Sequence, residues 1–238
     1  MKTALPVILG TGFQTLAISV PTVFDSWKGS VTRESCDERL DRWSRRVLDL
    51  VKVTVDVQGR ENLDVSGATI VMSNHQSLYD IPLLFQVLPK SLRMIAKHEL
   101  FKVPVWGPAM RASGFIAIDR DNRHKAFQSL QEAKATLESG VTVWMAPEGT
   151  RSRDGQLLPF KKGGFVLAEQ MGASILPVSI RGTRDILPAK TMQFNPGVHV
   201  TVTIHPRIPV PAPESGPGRV AVREQLMQRV RDAIQSGL

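Results

Sequence analysis

From residue 51 to residue 205 the chain alternates short runs of strand period with longer runs of helix period, and that alternation restricts its fold more than any other feature. The first run sets the pattern: Val51, Val53, Val55 and Val57 interleave with Lys52, Thr54, Asp56 and Gln58, giving one apolar and one wet face. Further strands are predicted at 68–73, 92–96, 114–118, 141–145, 174–180 and 197–205, and helices at 79–88, 124–139 and 164–171. Within 124–139, Phe127, Leu130 and Leu137 share a side, and Gly140 ends the helix. Such a succession predicts an α/β fold, a mainly parallel central sheet flanked by helices on both faces. The late strand, with Val198, Val200, Val202 and Ile204 on one side, is a candidate edge. A Pro-rich link then leads to a helix at 219–236 with Val222, Leu226, Val230 and Ala233 on one face. No internal linker divides residues 51–238, which read as one domain.

Residues 1–50 differ in kind. Thr3 to Phe24 carries no charge and includes Leu5, Val7, Ile8, Leu9, Phe13, Leu16, Val20 and Phe24. About 20 residues suffice to span a bilayer, yet Gly10, Gly12, Gln14, Thr15 and Pro21 make this a poor spanning helix, so a shallow or re-entrant insertion is expected. Read instead as a signal peptide, the segment has only Lys2 as a basic start and no small-x-small cleavage site. After it, Leu40, Trp43, Val47, Leu50 and Val51 recur at helical spacing while Arg39, Arg42, Arg45, Arg46 and Lys52 take the remaining surface; Ser35 and Glu38 have capping-box spacing. A basic amphipathic helix beside an apolar segment suits an anionic membrane surface, so residues 1–50 are read as membrane-associating. The same pattern also fits a core-packed helix with a solvated basic face.

Thirty Lys and Arg against 22 Asp and Glu give a net charge of +8, which favours anionic partners without choosing among them. An aromatic content of 6% with one Tyr leaves few stacking platforms, which argues against nucleic acid. Cys36 is the only cysteine, so no internal disulfide forms. His98, His124, His199 and His205 lack metal-ligand spacing, so no metal is expected; His199 and His205 share the polar face of their strand, where solvent or cross-strand partners are the default neighbours.

Chemistry concentrates in SNHQSLYD, residues 73–80, where an apolar strand runs into His75 and a helix begins near Asp80. Strand ends of open α/β sheets are where active-site loops gather. Two readings fit. Asp80 and Ser77 would cap the helix beside a surface histidine, or Asp80 would hold one ring nitrogen of His75 and leave the other as a base for a hydroxyl.

NHQSLYD resembles the N-H-x4-D block of the glycerolipid acyltransferases. Three further blocks follow in the family's order: KHELFKVPVWGPAMRASGFIAIDR (97–120), PEGTRS (147–152) and ILPVSIRGT (175–183). Four ordered blocks over roughly residues 50–185 are far more specific than one. Ala146 departs from the apolar aromatic that relatives commonly place before Pro-Glu-Gly. The resemblance, strongest to the branch acting on 1-acyl-sn-glycerol 3-phosphate, implies transfer of a fatty acyl group from acyl-CoA or acyl carrier protein to the sn-2 hydroxyl of lysophosphatidic acid. It implies His75 as general base oriented by Asp80, with no acyl-enzyme and no cofactor beyond the acyl thioester. Ser77 and Cys36 then stand aside, a serine nucleophile at Ser77 being the minor alternative. Lys97 and Arg151 are expected to take the acceptor's phosphate, with Glu148, Gly149 and Thr150 shaping that site, Arg120 and Lys161 as further cations, and Pro177 at the acyl pocket. From the side chains alone, Glu148 could equally pair with Arg151. The implied location is the cytoplasmic face of the inner membrane, with membrane lipid and an acidic carrier protein as partners. A sibling acceptor, or a silent membrane-binding protein, is the alternative.

Overall fold

In the computed structural model, which describes residues 4–64, 67–89, 91–119, 123–210 and 218–238, two helices lead into an α/β domain. The elements are α1 (Ala4–Trp27), α2 (Arg33–Leu50), β1 (Thr54–Gln58), β2 (Thr69–Ser73), α3 (Asp80–Val87), β3 (Leu92–Lys97), α4 (Trp106–Ala112), β4 (Ile116–Ile118), α5 (Arg123–Glu138), β5 (Thr142–Met145), α6 (Gly163–Met171), β6 (Ser174–Arg181), α7 (Thr183–Ile186), β7 (His199–Ile204) and α8 (Gly218–Ser236). One sheet has the order β1-β7-β6-β2-β5-β3-β4, and every neighbouring pair is parallel except β6 and β7. The expected mainly parallel sheet is thus present.

β7 is not an edge. It lies between β1, which it pairs in parallel from Thr54↔His199 to Gln58↔Thr203, and β6, which it pairs antiparallel. Alternation reports how the two faces of a strand are covered, whereas an edge is a lack of lateral pairing, so the first does not predict the second.

The two faces of β2 show how the core is divided. Ile70, Val71 and Met72 are all fully buried, as a strand covered on both sides requires. Val71 joins the cluster built with α2 and α3 (Val47, Leu83, Leu84), while Ile70 and Met72 join the one under α5, α6 and α8 (Leu137, Phe165, Val230). Leu137 therefore faces the core as expected; the side chains of Phe127 and Leu130 lie outside the described residues.

Helix α1 is continuous through Pro21 and has two faces. Leu5, Leu9, Phe13, Leu16, Val20, Phe24 and Trp27 are exposed along one stripe. Two of the polar residues that spoil the segment as a spanning helix point the other way, Thr15 accepting from Trp43 Nε1 at 3.1 Å and Gln14 from Arg46 at 3.2 Å; Thr22 and Asp25 also meet α2, at Arg39. Gly10 lets the helices close up, since a Cβ there would lie 2.9 Å from the Leu50 side chain. Helix α2 in turn buries Leu40, Val47 and Leu48, and its C-cap Val51, and exposes Arg42, Arg45 and Arg46. It starts earlier than Ser35 suggests. Thr32 is the N-cap, and it shares a reciprocal capping box with Ser35 in place of the expected Ser35–Glu38 pair.

His199 is exposed, but His205 is buried. The end of α8 covers it: Ser179 Oγ lies 2.7 Å from His205 Nε2 and donates to the Ile234 carbonyl at 2.6 Å.

Candidate active site

The C-terminal ends of β2, β5 and β3, which are neighbours in the sheet, bring the 75–80, 146–152 and 97–102 segments to one rim. β2 ends at Ser73, whose hydroxyl accepts from Trp144 Nε1 at 2.9 Å. The Asn74 side chain then brackets Ile180, donating to its carbonyl and accepting its N–H, each at 2.8 Å. With the chain clamped on both sides, the next residue leaves the sheet. That residue is His75.

Asp80, the first residue of α3, is fully buried. A buried carboxylate is tolerable only when its oxygens are occupied. Oδ2 receives His75 Nδ1 at 2.7 Å and the backbone N–H groups of Gln76 and Ser77 at 2.8 and 3.0 Å, while Oδ1 receives the Thr183 hydroxyl. An oxygen that already accepts two amides acts as acceptor toward the ring too, so Nδ1 is the donor and Nε2 carries the free lone pair. The ring stands edge-on to Trp144, with centroids 5.7 Å apart at 82°. Of the two sequence readings, the geometry matches the one in which Asp80 holds the ring; α3 has Tyr79 as its N-cap with no side-chain capping bond, and Asp80 accepts instead from the amides of the loop before it.

Glu148 is buried as well, and its partners are backbone amides rather than Arg151: His75 N–H donates to Oε1 at 2.8 Å and Leu158 N–H to Oε2 at 2.9 Å. Burial pushes its carboxyl above the ordinary glutamate value, against the pull of those two amides. Ser152 N–H also donates to the His75 carbonyl at 2.8 Å, so the 148–152 turn grips the histidine backbone twice. Gly149 sits at φ +70°, the left-handed region that favours glycine, with the end of the exposed Lys161 side chain packed 3.0 Å from where a Cβ would lie.

The expected cations are less uniform. Arg151 is half-buried and makes no hydrogen bond or ion pair with the described residues. Lys97, at the end of β3, is exposed and paired with Glu99 at 2.8 Å, a contact that holds the Glu99 carboxyl below its usual range. Thr150 and Lys161 are exposed. Arg120 lies outside the described residues. Pro177 is buried inside β6, in register with Met72. Ser77 is a committed donor to the Leu187 carbonyl at 2.8 Å, and Cys36 is buried in α2. Thr183 escaped the sequence reading; it stands 103 residues from its partner, beyond any local pattern.

The acyltransferase family profile matches residues 54–181. The chain is 35% identical over 186 residues to a 1-acyl-sn-glycerol-3-phosphate acyltransferase of Chlamydomonas reinhardtii, covering 77% of this chain and 53% of that protein. It is 36% identical over 161 residues to the human 1-acyl-sn-glycerol-3-phosphate acyltransferase alpha, covering 67% and 56%. The chain thus spans about half the length of these curated relatives. The crystal structure of the 1-acyl-sn-glycerophosphate (LPA) acyltransferase PlsC from Thermotoga maritima superimposes with a TM-score of 0.79 at 31% identity, over 98% of this chain and 93% of that one.

Proposed function

Since the chain belongs to the acyltransferase family, we propose that it moves a fatty acyl group from acyl-CoA or acyl carrier protein to the sn-2 hydroxyl of lysophosphatidic acid, giving phosphatidic acid. The names of the relatives support the acceptor. The observation that carries the chemistry is the 2.7 Å contact between His75 Nδ1 and the buried Asp80.

Nε2 takes the proton of the acceptor hydroxyl as that oxygen attacks the thioester carbonyl. The Asp80 carboxylate stabilises the resulting imidazolium and keeps the ring from turning. As the tetrahedral intermediate collapses, the C–S bond breaks, and the imidazolium returns its proton to the departing sulfur, which leaves as a free thiol. Acyl transfer is direct, so Ser77, already spent on Leu187, takes no part.

The acceptor phosphate would be held by Arg151, whose guanidinium has no partner among the described residues, with Lys97 exchanging Glu99 for the phosphate. Arg120 and Lys161 are further candidates. Glu148, Gly149 and Thr150 would shape this side by fixing the turn, and Pro177 would form part of the acyl pocket's floor. Membrane lipid would meet the exposed stripe of α1, the one described helix long and apolar enough to cross a bilayer by length and composition. With its other face bonded to α2, this helix would lie in the interface, at the cytoplasmic face of the inner membrane, with Arg42, Arg45 and Arg46 available to anionic headgroups.

The test is transfer from labelled acyl-CoA and acyl carrier protein by the purified full chain to lysophosphatidic acid, glycerol 3-phosphate and lysophosphatidylcholine, with products identified by mass spectrometry. Phosphatidic acid should dominate. Faster acylation of an acceptor other than lysophosphatidic acid would overturn the assignment.

A further inference from the structure

Three side chains tie the loop carrying His75 to the segment around α7. Asn74 bonds both backbone groups of Ile180, Ser77 donates to the Leu187 carbonyl at 2.8 Å, and Thr183 donates to Asp80 Oδ1. The first two hold main chain to main chain through a side chain. The third reaches the acid that aims the imidazole.

We propose that Thr183 is a positioning residue for acyl transfer: its hydroxyl fixes the carboxylate plane of Asp80 so that Oδ2 points at His75 Nδ1. This deepens the acyl-transfer reading and rests on it. Asp80 Oδ2 is surrounded by the ring and two amides, all from its own loop, which would still be satisfied if the carboxylate tilted toward the amides and away from the ring. Only Oδ1 can oppose that tilt, and Thr183 is its donor. Asp80 and Thr183 are each fully buried, so water is not at hand as a substitute.

The backbone is shaped to deliver this hydroxyl. Gly182 caps α7 at φ +102°, and a Cβ there would lie 2.5 Å from the His199 carbonyl oxygen. The turn is closed by Asp185 N–H to the Gly182 carbonyl at 3.0 Å and by Leu187 N–H to the Thr183 carbonyl at 3.3 Å. β6 is therefore stopped abruptly, and its next side chain turns beneath the catalytic loop.

Thr183→Val keeps the shape of the side chain and removes the donor; Thr183→Ser keeps the donor and removes the methyl group. With lysophosphatidic acid as acceptor, the valine variant should lose about 10- to 100-fold in kcat at little change in KM, as expected for a hydrogen bond to a charged group. The serine variant should recover to within about threefold of wild type. In protein labelled with 15N-histidine, the Nδ1–H resonance of His75, assigned by its loss in His75→Ala, should shift or broaden in the valine variant and return in the serine variant. Equal kcat and an unmoved resonance in Thr183→Val would overturn the proposal. So would a serine variant as slow as the valine one, because packing and not the donor would then be at issue; if Thr183→Val does not fold, a serine variant more than about threefold slower than wild type overturns the proposal by itself. A wild-type protein without transferase activity would sink the acyl-transfer reading and leave the resonance test to decide on Thr183.

Discussion

The backbone N–H of His75 donates to Glu148 Oε1 at 2.8 Å, so a glutamate between Pro147 and Gly149 holds the main chain of His75 while its other oxygen holds Leu158. Glu148→Gln offers only one oxygen and sets its NH2 against an N–H. The variant should lose about 2–4 kcal/mol of stability, the cost of stranding buried donors, read from its urea midpoint. Transfer should fall with it, because His75 is no longer anchored.

Glu148 also sets a pH dependence. Its folded carboxyl binds its proton more tightly than the ordinary value of 4.5. Between that value and the raised one, the folded state holds more protons than the unfolded state, so this group's contribution to stability is full below 4.5 and is lost as pH rises through the raised value. Urea titrations at several pH values should show that falling limb in wild type and its absence in Glu148→Gln.

Replacing the proposed base should leave a folded, inactive protein. His75→Ala is expected to cost about 10²- to 10⁴-fold in turnover, and Asp80→Asn a similar factor, because an amide cannot accept from all four of the donors that surround Asp80. Circular dichroism and vesicle binding should be unchanged in His75→Ala. Undiminished turnover in that variant would remove His75 from the chemistry, and absence of turnover in wild type would favour a non-catalytic, membrane-binding protein.

On α1, Leu9→Asp and Phe13→Asp alter only the exposed stripe and leave the contacts of Gln14, Thr15 and Thr22 with α2 intact. Each apolar side chain withdrawn from the interface should cost about 1.5–3 kcal/mol, and so about tenfold or more in partition to anionic vesicles. Cosedimentation measures it, with the melting temperature as control for folding.

His205 behaves in the opposite sense to Glu148. Burial lowers its proton affinity below the ordinary value of 6.5, so its contribution to stability is present above 6.5 and is lost as pH falls through the lowered value. Thermal unfolding followed from about pH 7.5 to about pH 5 should be less acid-sensitive in His205→Gln than in wild type.

What the sequence could reveal was whatever local period encodes. β2 leading into His75, α3 opening on Asp80, and the strand and helix alternation were all readable, since each depends on residues within a few positions. The partners of those residues were not. Ile180 beside Asn74, Thr183 beside Asp80 and Leu158 beside Glu148 are set by which strands lie next to one another, and hydrophobic pattern does not specify strand order. For His205 the expected cross-strand partner is present in Ser179 of β6, but its cover by α8 was not legible, because that helix comes from more than twenty residues downstream. Thr32 was missed as a cap because Ser35 and Glu38 offered the same spacing one turn later.

β2 makes hydrogen bonds to β5 on one side and β6 on the other, although both are synthesised long after it. A nascent chain that has emerged only through β5 holds the imidazole and its acid but has no Thr183 to complete them and no Ile180 for Asn74 to grip. If the chain transfers acyl groups as proposed, competence therefore arrives late in translation, once strand β6 has zipped against β2. Until then, the growing polypeptide carries α1 and the His75–Asp80 pair without the bonds that β6 and α7 supply to them.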